Sequence, residues 1–142
     1  MKYGMAILSG LASALFVAGC DTLGEEPVSL PHGLNHIGMS HSGQTETGEM
    51  SYYSVKTNGG SQTASGEKLT NDGHTAAHRT LPFGTKVEVT NLRNNRTAVV
   101  RINDRGPFIS GRIIDVSIGV AKKLDFVGNG VAPCRIEVLT SN

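Results

Sequence analysis

Two short runs of alternating apolar and polar residues, separated by a turn, constrain the fold more than any other feature. In "TKVEVTNL", Val87 and Val89 alternate with charged and hydroxyl side chains, and the alternation resumes in "TAVVRIN" after the turn signal "RNNR". A period of two places the apolar residues on one face of a strand. The sequence therefore predicts a β-hairpin that buries Ala98, Val100 and Ile102.

The chain after Met50 contains further short strands and one short helix. "SYYSV", "RIIDV" and "CRIEVL" are typical of strands, and Ser117 can cap the helix "IGVAKKLDF", which "VGNG" ends. Cys134 alternates in phase with Ile136 and Val138, so its thiol is expected to be buried in the core. Many short strands with Gly-rich turns indicate an all-β fold with little helix, and favour a small closed β-barrel.

The N-terminal residues have the composition of an export signal. Residues 1–19 begin with one lysine and continue as a short apolar run rich in small residues. The run ends in "VAGC", which resembles a bacterial lipobox. The sequence therefore predicts a lipoprotein signal peptide that is removed before Cys20, and acylation of Cys20 that anchors the protein to a membrane without spanning it.

Residues 20–49 show no apolar periodicity and are predicted to be a disordered tether that begins with the lipidated cysteine. The histidines of this segment have no accompanying Cys or carboxylate pattern, so a solvated linker is preferred over a metal site; they are His32, His36 and His41. Residues 50–142 then form the barrel domain.

Charge is divided unevenly between these segments. Residues 21–49 contain five acidic and no basic residues, whereas residues 50–142 contain twelve Lys and Arg against seven Asp and Glu. A basic domain is attracted to a polyanion. For an exported protein nucleic acid is excluded as the partner, and the peptide carboxylates of a cell wall are favoured.

Polar residues beside Gly, Pro or small residues are the candidates for chemistry. Asp104 lies in "INDRGP" at the end of a predicted strand, Glu67 lies in "TASGEKL", His78 in "HTAAHRTLPFG" and Asp115 in "GRIIDVS". Each could equally be structural: a loop acid, a core histidine, or an acid that satisfies backbone donors. Neither metal-site nor phosphate-loop spacing accompanies them. Several carboxylates and a histidine in an exported domain suit cleavage of a glycosidic bond.

The segments "TASGEKL", "TAAHRTLPFGTKVEVTNLRNNRTAVVRINDRGPFISGRIIDVS" and "RIEVL" resemble, in this order, the rare lipoprotein A (RlpA) family over about residues 50–140. The resemblance implies a six-stranded double-psi β-barrel with one or two short helices, and lytic transglycosylase activity on peptidoglycan. The bond between N-acetylmuramic acid and N-acetylglucosamine would be cut by the muramic 6-hydroxyl, which leaves a 1,6-anhydro end. Neither a cofactor nor a metal is implied.

By the same resemblance, the catalytic residues fall on Glu67, His78 and Asp104, and the expansin-like aspartate of the family falls on Asp115. Asp104 is expected to be the acid, with Asp115 as the competing candidate, and Glu67 and His78 are expected to orient or deprotonate the hydroxyl. Residues expected to bind substrate are Asp115, Arg105, Tyr53 and Arg101. Two roles stay open for Arg105: it either pairs with Asp104 or binds a carboxylate of the substrate. Where relatives have Ser-Trp-Tyr-Gly, this chain has "SYYS", which implies an altered first subsite.

The family lies in the bacterial cell envelope, lipid-anchored and facing the periplasm. The outer membrane is its usual place, whereas Asp21 after the lipidated cysteine favours retention in the inner membrane. The sequence ends at Asn142 without the SPOR domain that targets many relatives to the septum, so protein partners, with the cell-division machinery as the implied class, stay open. Two alternatives to catalysis are an expansin-like domain that binds and loosens glycan and a lipid-tethered scaffold.

Overall fold

The computed structural model describes residues 39–141. The signal peptide, Cys20 and the predicted tether up to residue 38 lie outside the described residues. In chain order the elements are β1 (Met39–Tyr53), β2 (Thr75–His78), β3 (Lys86–Asn91), β4 (Thr97–Asp104), β5 (Arg112–Ser117), α1 (Ile118–Lys123), a 3-10 helix (Val127–Asn129) and β6 (Ala132–Ser141).

The six strands close into a barrel in the order β1-β5-β2-β4-β3-β6. Two pairs are parallel, β1 with β5 and β2 with β4, and the other neighbours are antiparallel. The predicted hairpin is confirmed as β3 and β4, in which Val87 lies opposite Val100 and Val89 opposite Ala98. The short strand β2 lies between β4, to which it is parallel, and β5, to which it is antiparallel, so the end of β4 and the strand that follows the next loop are its two neighbours.

The interior of the barrel contains the residues that alternation assigned to it. Val87, Val100 and Ile102 are at most 1% exposed. Cys134 is fully buried, and this burial raises the pKa of its thiol to about 12. The predicted burial of Cys134 is therefore confirmed, and because a thiolate is the nucleophilic form of cysteine, we expect the thiol to react slowly.

The first strand begins at Met39, earlier than the predicted start of the barrel domain at residue 50. Residues 39–49, which were assigned to the disordered tether, are the first part of β1 and pair with β6, with Glu46 opposite Ile136 and Gly48 opposite Cys134. Most side chains of this part are exposed, so the composition is that of a linker. Backbone hydrogen bonds to β6 hold this part of the strand, and the pattern of apolar and polar side chains cannot predict such bonds when most of the side chains face solvent.

The helix begins as predicted and ends earlier. The Ser117 hydroxyl accepts the backbone N–H of Val120 at 3.4 Å, which is the expected N-cap. Asp125 has a left-handed backbone (φ 58°), so α1 ends at Lys123 rather than continuing to Phe126. Within residues 39–141, no helix is long and apolar enough to cross a membrane.

Candidate active site

Two aspartates lie on either side of one alanine on the barrel wall. Ala77 of β2 is opposite Asp104 of β4 on one side and opposite Asp115 of β5 on the other, and Ser51 of β1 continues this row beyond Asp115. Because neighbouring strands are about 4.8 Å apart, the two aspartate Cα atoms are separated by roughly 10 Å.

Asp115 is a partly buried aspartate with a perturbed pKa. Burial raises the pKa of the Asp115 carboxyl, and the charge of Asp104 adds to this effect, while the Ser51 hydroxyl and Arg112 oppose it. Ser51 Oγ donates a short hydrogen bond to Asp115 Oδ1. A carboxyl group with a raised pKa keeps its proton to higher pH, which is the property that a general acid needs.

Asp104 is held in place by backbone donors. Its Oδ1 accepts the N–H groups of Ala64 and Arg105, each at 2.8 Å. A shift of register between β2 and β4 places Asp104, and not Asn103, opposite Ala77. Asn103 is only 2% exposed, because the irregular register turns it away from the surface.

Glu67 forms a fixed ion pair close to Asp104. Arg101 donates two hydrogen bonds to its two carboxylate oxygens, at 2.6 and 2.8 Å, and Asn103 Nδ2 donates a third at 3.1 Å. The hydrogen bonds from Arg101 and Asn103 lower the pKa of Glu67 to about 2, and those to Glu67 raise the pKa of Arg101. Glu67 is therefore ionised at neutral pH. Arg101 was predicted to bind substrate, but its guanidinium already donates two hydrogen bonds to Glu67.

Tyr53 lies within the electrostatic field of all three carboxyl groups. Its hydroxyl is 2.9 Å from Thr75 Oγ1, and its side chain is largely buried. Burial raises the pKa of Tyr53, and the charges of Asp104, Asp115 and Glu67 raise it further, against the hydrogen bond with Thr75. Tyr53 therefore lies near the carboxyl groups of Glu67, Asp104 and Asp115.

The contacts of the His78 ring lie elsewhere. The Nδ1 atom accepts the backbone N–H groups of Thr80 and Leu81, at 3.2 and 3.1 Å, and Nε2 is 3.1 Å from a carboxylate oxygen of Glu46. In β2, His78 follows Ala77, so alternation directs it to the other face of the strand. It lines a cavity of about 190 Å³ with Glu46, Arg79, Thr80 and Ile113. The predicted catalytic role of His78 stays a prediction.

Arg105 has a role that neither of its two predicted readings included. Its Nη1 donates to the carbonyl oxygens of His78 and Leu81, at 3.2 and 2.9 Å, and its guanidinium lies 3.9 Å from the centre of the Phe83 ring. The guanidinium thus fixes the β2–β3 loop, while the backbone N–H binds Asp104. The next residue, Gly106, has a φ of 124°, which only glycine adopts readily. Arg105 and Gly106 thus follow Asp104 because the loop needs the hydrogen bonds of the arginine and the backbone freedom of the glycine.

A second arginine, on the β2–β3 loop, donates hydrogen bonds to the β4–β5 loop. Arg79, in the β2–β3 loop, donates from Nε to the carbonyl oxygen of Pro107 at 2.8 Å and from Nη2 to that of Arg112. Arg79 therefore connects the β2–β3 loop to the β4–β5 loop, and Arg105 of the β4–β5 loop makes a second connection back to the β2–β3 loop. Sequence analysis did not single out Arg79, Glu46 or Ser51, because their partners are distant in the sequence.

A cluster of a histidine and two glutamates lies on β1, β3 and β6. Ligand atoms of His41, Glu88 and Glu137 are within 4.8 Å of one another, an arrangement that could hold a metal ion and that the sequence spacing did not reveal. His41 Nδ1 is 2.7 Å from Glu137 Oε2, and Arg135 Nε is 2.9 Å from Glu137 Oε1. Glu137 is therefore already in contact with a histidine ring and a guanidinium.

The chain is similar to curated bacterial proteins over its barrel. It is 62% identical over 80 residues to the "Probable endolytic peptidoglycan transglycosylase RlpA" of Nostoc sp., covering 56% of this chain and 22% of that protein. It is 47% identical over 97 residues to the "Endolytic peptidoglycan transglycosylase RlpA" of Campylobacter jejuni, covering 68% of this chain and 35% of that protein. The chain thus spans well under half the length of these relatives.

Solved structures share the fold. The Streptomyces papain inhibitor is 26% identical with a TM-score of 0.54, and the match covers 68% of this chain and 94% of the inhibitor. The expansin of Clavibacter michiganensis is 18% identical with a TM-score of 0.50, covering 67% of this chain and 50% of the expansin, and this likeness concerns the fold alone. Residues 45–136 match the sequence profile of the lytic transglycolases, a double-psi β-barrel family. The predicted double-psi β-barrel is confirmed, and the chain belongs to the lytic transglycolase family.

Proposed function

We propose that this barrel is an endolytic lytic transglycosylase that cleaves the glycan strands of peptidoglycan between N-acetylmuramic acid and N-acetylglucosamine. The printed names of the curated relatives support this activity. The observation that carries the proposal is the pair of aspartates on either side of Ala77, one of them with a raised pKa. Glycosidic cleavage requires an acid for the leaving oxygen and a negative group beside the sugar carbon that becomes positively charged.

In this mechanism Asp115 is the acid, which reverses the assignment that sequence analysis gave to Asp104. The Asp115 carboxyl donates its proton to the oxygen that leaves with N-acetylglucosamine, and the bond from this oxygen to C1 of the muramic sugar breaks. The 6-hydroxyl of the same sugar forms the new bond to C1 and returns its proton to Asp115. Asp104, held by two N–H groups, faces the positive charge that develops at C1.

The remaining polar residues bind and orient the sugar. Glu67 is ionised and held by Arg101, so it serves as an acceptor for sugar hydroxyls and not as an acid. Asn103 Nδ2 donates to the Glu67 carboxylate at 3.1 Å and helps to hold it in place. The Tyr53 hydroxyl, next to Thr75, would contact the sugar between the two aspartates.

The cellular setting of the proposal rests on the sequence of the N-terminal region. The lipobox at Val17–Cys20 supports acylation of Cys20 and attachment to a membrane of the cell envelope, with the barrel facing the periplasm.

The test is incubation of the detergent-solubilised full chain with purified wall sacculi, followed by mass analysis of the soluble products. We expect fragments that end in 1,6-anhydro-N-acetylmuramic acid, and their loss in Asp115→Asn. Reducing-end sugars would show that water is the nucleophile, which contradicts a transglycosylase. Absence of any product while the chain still binds sacculi would leave the expansin-like binder as the function.

A further inference from the structure

The His78 ring is held as a single neutral tautomer. The lone pair of Nδ1 is directed at two backbone N–H groups, those of Thr80 and Leu81. A ring nitrogen that accepts hydrogen bonds carries no proton, so the proton of the neutral ring is on Nε2 and is donated to Glu46 at 3.1 Å. The ring is only 5% exposed, whereas about half of the Glu46 side chain is exposed.

This arrangement leaves His78 without a free lone pair for a substrate proton. A general base has to come within hydrogen-bond reach of the proton that it removes, and it has to be able to accept it. Here Nδ1 is blocked by backbone donors and Nε2 already carries a proton. The chemistry that His78 can perform in this position is hydrogen bonding that orders the chain around it.

The loop that His78 orders is connected to Asp104. The carbonyl oxygens of His78 and Leu81 accept hydrogen bonds from Arg105 Nη1. The backbone N–H of Arg105 donates in turn to Asp104 Oδ1 at 2.8 Å. An unbroken series of contacts therefore leads from Glu46, on the first strand, through His78 and its loop to one carboxylate of the proposed site.

We propose that Glu46 and His78 are positioning residues for Asp104, with Glu46 fixing the His78 tautomer and His78 fixing the loop that holds Arg105. The proposal rests on the proposed transglycosylase function and adds to it a role for a residue, Glu46, that sequence analysis assigned to the disordered tether. Displacement of a catalytic group by about 1 Å lowers a rate by up to about a hundredfold, which sets the scale of the effect.

Two substitutions separate positioning from base catalysis at His78. Asparagine can accept the N–H groups two and three residues onward through its side-chain oxygen, so His78→Asn keeps the loop contact and removes any ring base. Glutamine places its amide where Nε2 lies, so His78→Gln keeps a donor toward Glu46 and loses the loop contact. Positioning predicts that His78→Asn is active within about tenfold of wild type, and that His78→Gln loses more than about tenfold.

The matched pair at Glu46 is Glu46→Gln, which keeps an acceptor for Nε2–H, and Glu46→Leu, which removes it. We expect Glu46→Gln to retain activity and Glu46→Leu to lose about tenfold. Glu49→Leu is the control, because it removes a carboxylate from the same strand that makes neither a hydrogen bond nor an ion pair within residues 39–141.

A readout independent of activity is amide hydrogen exchange at Thr80, Leu81 and Arg105, together with nitrogen-15 spectra of the His78 ring. Wild type should show a proton on Nε2, and both Glu46→Leu and His78→Gln should lower the protection of the Arg105 amide. If wild type proves inactive on sacculi, the proposed function fails, and the exchange data alone decide whether Glu46 and His78 order Asp104. Loss of activity in His78→Asn with amide protection intact would overturn the proposal and make His78 directly catalytic.

Discussion

Replacement of Asp115 by asparagine should abolish activity and stabilise the barrel at neutral pH. The substitution keeps the size of the side chain and an oxygen that can accept the Ser51 hydrogen bond. It removes the only proton that the proposed mechanism delivers to the leaving oxygen. Loss of a general acid lowers a rate by about a hundredfold to ten-thousandfold, which corresponds to about 3 to 5 kcal/mol in the activation barrier.

The effect on stability follows from the raised pKa of Asp115. Burial makes the folded protein hold the Asp115 proton more tightly than the unfolded chain does. The wild-type free energy of unfolding therefore falls as the pH rises from the ordinary aspartate range through the folded pKa of this carboxyl. Asparagine does not titrate, so Asp115→Asn avoids this loss, and its advantage over wild type should disappear below about pH 3.9.

The assay combines product analysis with urea unfolding of wild type and Asp115→Asn at about pH 7 and about pH 3. We expect the variant to be inactive on sacculi and more stable than wild type only at the higher pH. Asp104→Asn, which also removes a carboxylate from the same row of residues, is the control for the unfolding measurement only, because Asp104 itself takes part in the proposed mechanism. Wild-type activity in Asp115→Asn, or equal destabilisation at both pH values, would refute the assignment of Asp115 as a buried acid.

Three further predictions concern the loops, the core thiol and the anchor. Arg105→Met should lower the free energy of unfolding by about 2 to 4 kcal/mol, because it removes two charged hydrogen bonds and the contact with Phe83. The control is Arg93→Met at an exposed position, which should leave the free energy of unfolding unchanged in the same urea titration. Cys134 should react with a maleimide only after unfolding, and labelling of the native protein within minutes would contradict its burial. Cys20→Ser should abolish acylation and release the protein from membranes after a salt wash, so its quantitative retention would exclude the lipid anchor.

The parts of the fold that could be predicted from the sequence are those whose side chains report burial. Val87, Val100 and Ile102 alternate with polar residues because the inside of the barrel accepts only apolar side chains. The strand β2 could not be predicted, because four residues with two alanines carry too little pattern. The first part of β1 was also missed, since it is fixed by backbone pairing with β6 while its side chains face solvent.

The candidate site could be predicted as a set of residue types but not as a geometry. Asp104 and Asp115 were visible because they lie beside turn and helix signals, and the family resemblance assigned them. The raised pKa of Asp115 depends on burial, which the sequence does not show. The contact of His78 with Glu46 joins residues 32 positions apart and crosses a boundary that composition had drawn between tether and domain.

The pairing of the first strand with the last has a consequence for how the chain folds and how it can be cut. Ser40 and Thr140 lie side by side although they are 100 positions apart, so the barrel closes only after nearly the whole domain has been synthesised. Such distant pairing makes folding slow. A chain cut at residue 50 would leave much of β6 with unpaired N–H and C=O groups, and open edges of this kind recruit neighbouring copies into aggregates. By pairing with β6, the polar segment 39–49 thus prevents the edge of β6 from pairing with other chains.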